Sequence, residues 1–221
     1  MKPVGLALLF CLCLTTACAR LPKLSPLAGP PPACASFFAR DGWQFVHIIE
    51  ATPPGRSAMT LMGVVQLTPP DLHCALMTLE GLVLFEARWD GRMTVLRALP
   101  PFDNKGFAQG LVDDIRLIFL TPPVSRQSVG RLDDGRPVCR YRLADGETRD
   151  LVQTADGGWE MRCYRPGRGL TKTLTTDALP TDRSRMPVPA HMQLKTHGML
   201  GYNLTLTLVE AQPLNSLKVV P

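Results

Sequence analysis

Five Asp-Gly pairs, beginning at residues 41, 90, 134, 145 and 156, mark turns along the chain, and the last four are flanked by runs of alternating residues. Glycine accepts the positive φ of tight hairpin turns, so Asp-Gly between alternating runs is typical of antiparallel neighbours. The pattern predicts an antiparallel meander of about eleven strands. They are expected at 43–51, 58–67, 72–79, 82–89, 92–98, 137–143, 148–154, 158–164, 170–176, 188–196 and 203–211.

The faces of these strands differ in a way that indicates where each lies. The strand predicted at 203–211 alternates leucine with threonine, which indicates one buried face. The strands predicted at 58–67 and 72–79 are apolar on both faces, as expected of central strands covered on two sides. In the strand predicted at 82–89, one face is expected to carry Val83, Phe85, Ala87 and Trp89.

The segment 103–120, DNKGFAQGLVDDIRLIFL, is predicted to be a helix. Asp103 or Asn104 can cap its first turn, and Pro122 cannot continue it. A lone helix of this length is marginal in water, so it must pack on the sheet. Its apolar stripe at helical spacing comprises Phe107, Leu111, Ile115 and Ile118.

Together these elements predict a mainly β domain over 37–221. One interpretation is a curved antiparallel sheet, or incomplete β-barrel, with the single helix as a lid or plug over a cavity for an apolar ligand. The other is a packed β-sandwich. Residue pattern alone leaves both open.

The N-terminus predicts export. Residues 1–17 have a positive start and an apolar run too short to span a bilayer, as in a signal peptide. The sequence before Cys18 resembles the lipobox of bacterial lipoproteins, which implies a palmitate-type acyl anchor on Cys18. Ala17-Cys18-Ala19 also satisfies the pattern of ordinary secretory cleavage. Proline-rich 18–36 is expected to be an extended tether, and by resemblance Ala19, which is not an aspartate, favours the outer membrane.

Four cysteines, at 34, 74, 139 and 163, remain outside the leader and its junction. An oxidising periplasm allows disulfides. Because Cys139 and Cys163 lie in strands predicted to be neighbours, a disulfide between them is expected, with buried reduced thiols as the alternative. No C-x-x-C pair is present to indicate a zinc or dithiol site.

Little in the sequence indicates catalysis. A dispersed net charge of +5 does not indicate nucleic-acid binding, and the common nucleotide, metalloprotease and nucleophile motifs are absent. His191 and His197 have no third ligand nearby in sequence and are expected on the surface or in packing. Asp113-Asp114 is expected on the solvated face of the helix. His47 and His73 are expected to be hydrogen-bonded core residues.

The run LEGLVLFEARWDGRMTVLRALPPF followed by GFAQGLVDDIRLIFL resembles the middle of the LolA and LolB lipoprotein carriers, and more closely small LolB-like bacterial lipoproteins. The positions that carry the match are Gly81, Phe85, Trp89-Asp90-Gly91 and 111–118. The resemblance implies an open β-barrel whose hydrophobic cavity accepts acyl chains. It also implies action at the inner leaflet of the outer membrane, in the service of a lipid-product pathway.

The sequence therefore predicts a non-enzymatic periplasmic lipoprotein, anchored to the outer membrane through Cys18, which requires no cofactor or metal. Its cargo is expected to be an acyl or polyene-like lipid or a lipoprotein, exchanged with a periplasmic carrier. The alternative is a structural or assembly lipoprotein that acts through a protein partner on an edge strand. The residues expected to line the lipid cavity are Val83, Phe85, Trp89, Leu111, Ile115 and Ile118.

Overall fold

The computed structural model describes residues 21–27, 29, 37–38, 42–55, 57–68, 70–180, 188–199 and 201–214. Within these ranges the chain forms one twelve-stranded antiparallel sheet and one α-helix. The predicted signal peptide and Cys18 lie outside the described residues. The elements are β1 (Trp43–Thr52), β2 (Met59–Thr68), β3 (Asp71–Met77), β4 (Val83–Trp89), β5 (Met93–Ala98), α1 (Lys105–Phe119), β6 (Val124–Arg131), β7 (Pro137–Leu143), β8 (Thr148–Gln153), β9 (Trp159–Arg165), β10 (Gly169–Thr176), β11 (His191–Thr196) and β12 (Asn203–Pro213).

All eleven predicted strands are present, and their ends differ from the predicted ends by three residues at most. The strand that the sequence did not predict is β6, VSRQSVGR. Seven of its eight residues are exposed, so it has no apolar face to give a period-two pattern.

Glycine sets the geometry of three successive hairpins, β6–β7, β7–β8 and β8–β9. Gly135, Gly146 and Gly157 have φ values of 85°, 84° and 85°, which lie in the left-handed region that glycine tolerates. Each donates its backbone N–H to the carbonyl of the residue three positions earlier. The predicted Asp-Gly turns are thus confirmed at these positions as type I turns extended by a bulge.

The strand order in the sheet is β5-β4-β3-β2-β1-β12-β11-β10-β9-β8-β7-β6. The first five strands and the last seven each form a meander, and β1 joins the two by pairing with β12. Because β5 and β6 lie at opposite edges of the sheet, the helix between them crosses from one edge to the other. The fold is therefore the predicted open, curved sheet with one helix, and the sandwich interpretation is wrong.

The helix begins and ends as its sequence predicts. The side chain of Asn104 accepts hydrogen bonds from the backbone N–H groups of Gly106 and Phe107, at 3.0 and 3.2 Å, which satisfies two otherwise free donors. The buried face is rotated from the predicted stripe, since Phe107 is 50% exposed. The buried residues of α1 are Ala108, Val112, Asp114, Leu117, Ile118 and Phe119.

Part of the predicted tether is packed against the domain. Ser25 forms a backbone bridge with Arg131 at the free edge of β6. Leu24 packs on a small apolar cluster on the outer face of the sheet, formed by Leu132, Val138 and Val152. These residues are therefore not a free tether, because their apolar and backbone groups are already paired with the sheet.

The predicted disulfide between Cys139 and Cys163 is wrong. Cys139 is disulfide-bonded, whereas Cys163 is a free, buried thiol. The physical reason is the strand order: β8 separates β7 from β9, so Cys139 and Cys163 lie two strand spacings apart, roughly 10 Å. That separation exceeds the reach of a disulfide.

Candidate functional site

The helix lies against the inner face of the sheet and contacts strands from both meanders. The guanidinium carbon of Arg116 lies 3.7 Å from the ring centroid of Trp89 on β4. The ring of Phe119 stacks on Phe45 of β1, with centroids 5.6 Å apart. On the opposite side, Asp114 pairs with Lys172 of β10. One helix thus holds the two halves of the curved sheet together across their shared interior.

Asp114 is the centre of a buried polar cluster, which we call the helix latch: Asp114, Lys172 and Tyr202. The Lys172 ammonium donates to one carboxylate oxygen of Asp114, and the Tyr202 hydroxyl donates to the other. The Asp114 side chain is 2% exposed and that of Lys172 is 21% exposed. The expectation that Asp114 faces solvent is therefore wrong, because Lys172 of β10 and Tyr202, which immediately precedes β12, compensate its buried charge.

The protonation state of the helix latch follows from its burial. Burial, together with the neighbouring Asp114 charge and hydrogen bond, raises the pKa of Tyr202 well above its usual value. The phenol therefore stays protonated and acts as a donor. Cys163 lies opposite Lys172 in the β9–β10 ladder, and burial raises the pKa of its thiol to about 12. A thiol in that state is a poor nucleophile, so the cluster anchors the helix and offers no reactive sulfur.

The neighbouring carboxylate, Asp113, has a different environment on the same helix. Its side chain is 40% exposed and accepts hydrogen bonds from Gln109 and Arg116, both on α1. Asp113 therefore matches the solvated role that was predicted for the pair. The two adjacent carboxylates can therefore be compared directly: Asp114 contacts the sheet, whereas Asp113 contacts only residues of α1.

A second polar group lies in the interior without a partner. His47, on the inner face of β1, is 1% exposed, and its Nε2 has no hydrogen-bond partner. Its ring lies beside the stacked pair of Phe45 and Phe119, at centroid distances of 6.3 and 5.6 Å. Burial lowers the pKa of His47 to about 4, so the imidazole is neutral at neutral pH. His47 is thus the predicted core histidine, but Nε2 lacks the predicted hydrogen bond.

The structure brings five of the six predicted cavity residues to one apolar cluster. Phe85 and Ile118 are buried within it, and Trp89, Leu111 and Ile115 pack against it. A β-bulge between Leu76 and Met77 shifts the register of β4 at its start. Consequently Leu84 packs against this cluster. Val83, the sixth predicted residue, is half-buried and does not belong to the cluster formed by the described residues. The sequence missed Leu84 because a bulge breaks the alternation of faces.

A separate cleft of about 510 Å³ lies at the ends of β8 to β12. Most of its lining residues have polar side chains, and none of the six predicted cavity residues contributes to it. The imidazole Nδ1 of His191 lies 2.7 Å from Asp177 Oδ2 at this surface. The cleft is lined by Thr154, Asp156, Trp159, Thr175, Thr176, Asp177, His191, Met192, Gln193 and Thr205.

The remaining histidines have local partners on the outer face. His73 pairs with Glu86 at 3.1 Å and is 39% exposed, so it is hydrogen-bonded as predicted but lies outside the core. His197 contacts the Thr173 hydroxyl at 2.8 Å. Within the described ranges, no group of three or more His, Cys, Asp or Glu side chains is placed to hold a metal ion.

Comparison with known proteins returns structural similarity at low identity. A domain assigned as an outer membrane lipoprotein-sorting protein, from Vibrio parahaemolyticus, is 10% identical with a TM-score of 0.49, over 80% of this chain and 88% of that chain. A LolA superfamily protein from Nitrosomonas europaea is 13% identical with a TM-score of 0.46, over 86% of this chain and 91% of that chain. No family model and no curated protein matches the chain.

Across the described part of the chain, no helix is both long enough and apolar enough to cross a membrane.

Proposed function

We propose that this protein is a carrier for an acyl or polyene-like lipid, or for the acyl chains of a lipoprotein, and that the cargo enters the interior beneath α1. The observation that carries the proposal is the position of the helix. It crosses the inner face of an open sheet and contacts both meanders through Arg116, Phe119 and Asp114. Displacement of this one element would expose the inner apolar rows of many strands at once.

The energetics favour an apolar cargo. Burial of ten methylenes contributes about 8 kcal/mol before ordering costs, so an acyl chain needs no strong polar contact to bind. The cluster that the helix covers is built from aliphatic and aromatic side chains of the sheet, including Phe85, Met161 and Leu206. The acyl chain of the cargo would then make the apolar contacts with the sheet that α1 makes in the closed form.

The helix latch gives the helix a defined closed position. Its ion pair is buried on the Asp114 side and partly open on the Lys172 side. Separation of such a pair costs less when water can reach one partner. Opening of the helix would therefore hydrate Lys172 first, which makes a reversible lid physically reasonable.

We place this activity at the periplasmic face of the outer membrane, with Cys18 as the lipid anchor. The lipobox-like sequence before Cys18 supports this placement. Exposed leucines at one corner of the molecule would face the membrane or a donor carrier. They are Leu79 and Leu82 in the β3–β4 turn and Leu96 and Leu99 near the end of β5.

The test is uptake of a fluorescent acyl probe by variants of α1. Ile115 packs against the apolar cluster, whereas Phe107 is 50% exposed on the same helix. We expect Ile115→Glu to lower probe affinity at least tenfold, because a carboxylate beside the chain loses hydration without a partner. Phe107→Glu, with the same change of charge, should retain wild-type affinity. Circular dichroism and secretion levels establish that both variants fold.

Equal uptake by the two variants and the wild type would contradict the assignment of the cavity to α1. Absence of probe binding by the wild type would contradict the carrier function itself. The two results are distinguishable because only the second involves the unmodified protein.

A second candidate function is an assembly lipoprotein that binds a protein partner. The observation in its favour is the edge strand β5, which has exposed Val95 and Leu96 and pairs with β4 on one side. An exposed apolar edge is a site for pairing with another chain. This candidate predicts loss of a specific partner on Leu96→Lys, with no lipid bound to the wild type.

A further inference from the structure

His47 is the feature of the interior that the carrier proposal does not yet use. Its side chain is 1% exposed, and Nε2 is one of two buried side-chain nitrogens without a hydrogen-bond partner among the described residues. A buried polar atom without a partner costs free energy, and an apolar side chain of similar volume would avoid that cost. The unpaired nitrogen therefore calls for a functional explanation.

The described neighbours of the His47 ring come from both the sheet and the helix. The rings of Phe45 and Phe119 lie near the imidazole, and Gly63 is opposite His47 in the β1–β2 ladder. A Cβ at position 63 would lie 2.5 Å from Ile49 Cδ1. Gly63 therefore places no side chain beside His47. Of these neighbours, Phe119 belongs to α1 and the others belong to the sheet. Movement of the helix thus uncovers His47 toward the interior.

The chemistry of the group selects the class of partner. Burial favours the neutral imidazole, which has one N–H donor and one acceptor nitrogen. In the tautomer that carries the proton on Nε2, this nitrogen is a neutral donor in an apolar wall and suits a carbonyl oxygen, while a phosphate would bring an uncompensated charge into the same place. The acyl ester, the acyl amide and the fatty acid share this carbonyl.

We propose that His47 Nε2 is the polar contact for the acyl carbonyl of the cargo, which fixes the depth of the chain in the interior. The inference rests on the proposed carrier function and names its ligand more closely. Cargo that displaces α1 would take the place of Phe119 beside the imidazole. The carbonyl would then supply the hydrogen bond that Nε2 lacks in the closed form.

The experiment compares two probes of equal chain length, methyl palmitate and hexadecane, delivered from cyclodextrin to the full-length protein. Each displaces a prebound fluorescent dye from the interior, and the midpoints give relative affinities. We expect the wild type to prefer the ester by about threefold to tenfold, the effect of one hydrogen bond to a neutral group. His47→Leu should abolish that preference and leave hexadecane binding unchanged. His47→Gln, which keeps an N–H donor, should retain part of the preference.

Equal affinity of the wild type for the two probes, with no effect of His47→Leu, would overturn the role of His47 and leave the carrier function intact. A preference that persists in His47→Leu would also overturn it. Binding of neither probe by the wild type would overturn both proposals. If His47→Leu does not fold, the comparison of His47→Gln with the wild type decides the question, and no preference in either would contradict the inference.

Discussion

At the scale of the residue, two buried polar side chains meet where the helix lies on the sheet: Asp114 of α1 and His47 of β1. Asp114 has partners for both carboxylate oxygens, and His47 Nε2 has none. The first arrangement fixes the helix in place. The second leaves a hydrogen-bonding position open for another molecule.

His47 makes stability depend on pH. Its pKa is lowered to about 4 in the folded protein, against 6.5 for the unperturbed side chain. The unfolded chain therefore takes up this proton first as the pH falls, so the stability that is present above pH 6.5 is lost progressively toward pH 4. Between pH 7 and pH 5 we expect the free energy of unfolding to decrease by about 2 kcal/mol from this group.

Urea unfolding of the wild type and of His47→Leu at pH 7 and pH 5 measures the contribution of His47 to the pH dependence of stability. Both proteins share the titration of every other group, so the difference between their two pH dependences isolates His47. Parallel pH dependences would show that the imidazole has the same pKa in the folded and unfolded states, contrary to its buried environment.

The residues of the helix latch could not be identified as partners from the sequence. Lys172 and Tyr202 are 58 and 88 positions from Asp114 along the chain. Helical spacing alone does not tell which of Asp113 and Asp114 is buried, because the two residues are adjacent on a half-buried helix. Only the tertiary fold, which places β10 and the start of β12 beside α1, determines which carboxylate is buried.

At the scale of the element, α1 is the part of the molecule whose stability can be changed independently of the sheet. Its contacts to the sheet include one ion pair, one aromatic stack and one cation–π contact. The strands, in contrast, are held by continuous hydrogen-bonded ladders, including those of β1 with β2 and β12. Because the contacts of α1 with the sheet described above are made by side chains, and those between strands are backbone ladders, α1 is the element expected to open first.

Asp114→Asn tests the helix latch. Removal of the carboxylate charge leaves the Lys172 ammonium, 21% exposed, without its counter-ion, which should destabilise the protein by about 2–3 kcal/mol. Hydrogen exchange of the α1 amides should accelerate more than that of the central strands. Asp113→Asn is the matched control, because its contacts are confined to α1, and its effect should stay within about 0.5 kcal/mol.

Equal destabilisation by the two substitutions would show that the buried ion pair does not hold the helix. Uniform acceleration of exchange in helix and sheet would show that α1 does not open separately from the rest. Either result would remove the physical basis for a lid.

Among the strands, face alternation or turn chemistry predicted every one except β6. In β12, Leu204 and Leu206 alternate with threonine and identify the strand directly. In β6, the residues on both faces are exposed, and the strand exists because its backbone pairs with β7. The bulge that brings Leu84 inward is likewise set by the pairing of β3 with β4.

At the scale of the whole molecule, the order of the strands determines the function that the fold can support. Pairing of β1 with β12 joins two meanders into one sheet, and the connection from β5 to β6 has to cross the interior. Turn chemistry and face alternation predicted the meanders. The sequence left the curved sheet and the sandwich undecided, because the β1–β12 pairing joins residues from the two ends of the domain.

The decisive measurement is native mass spectrometry of the full chain with Cys18→Ser, which removes the proposed acylation site, followed by extraction and weighing of any released material. We expect one apolar adduct per protein, reduced or lost in Ile115→Glu and retained in Phe107→Glu. A protein without an adduct, and still without one after incubation with acyl donors, would contradict the carrier function and favour the assembly lipoprotein.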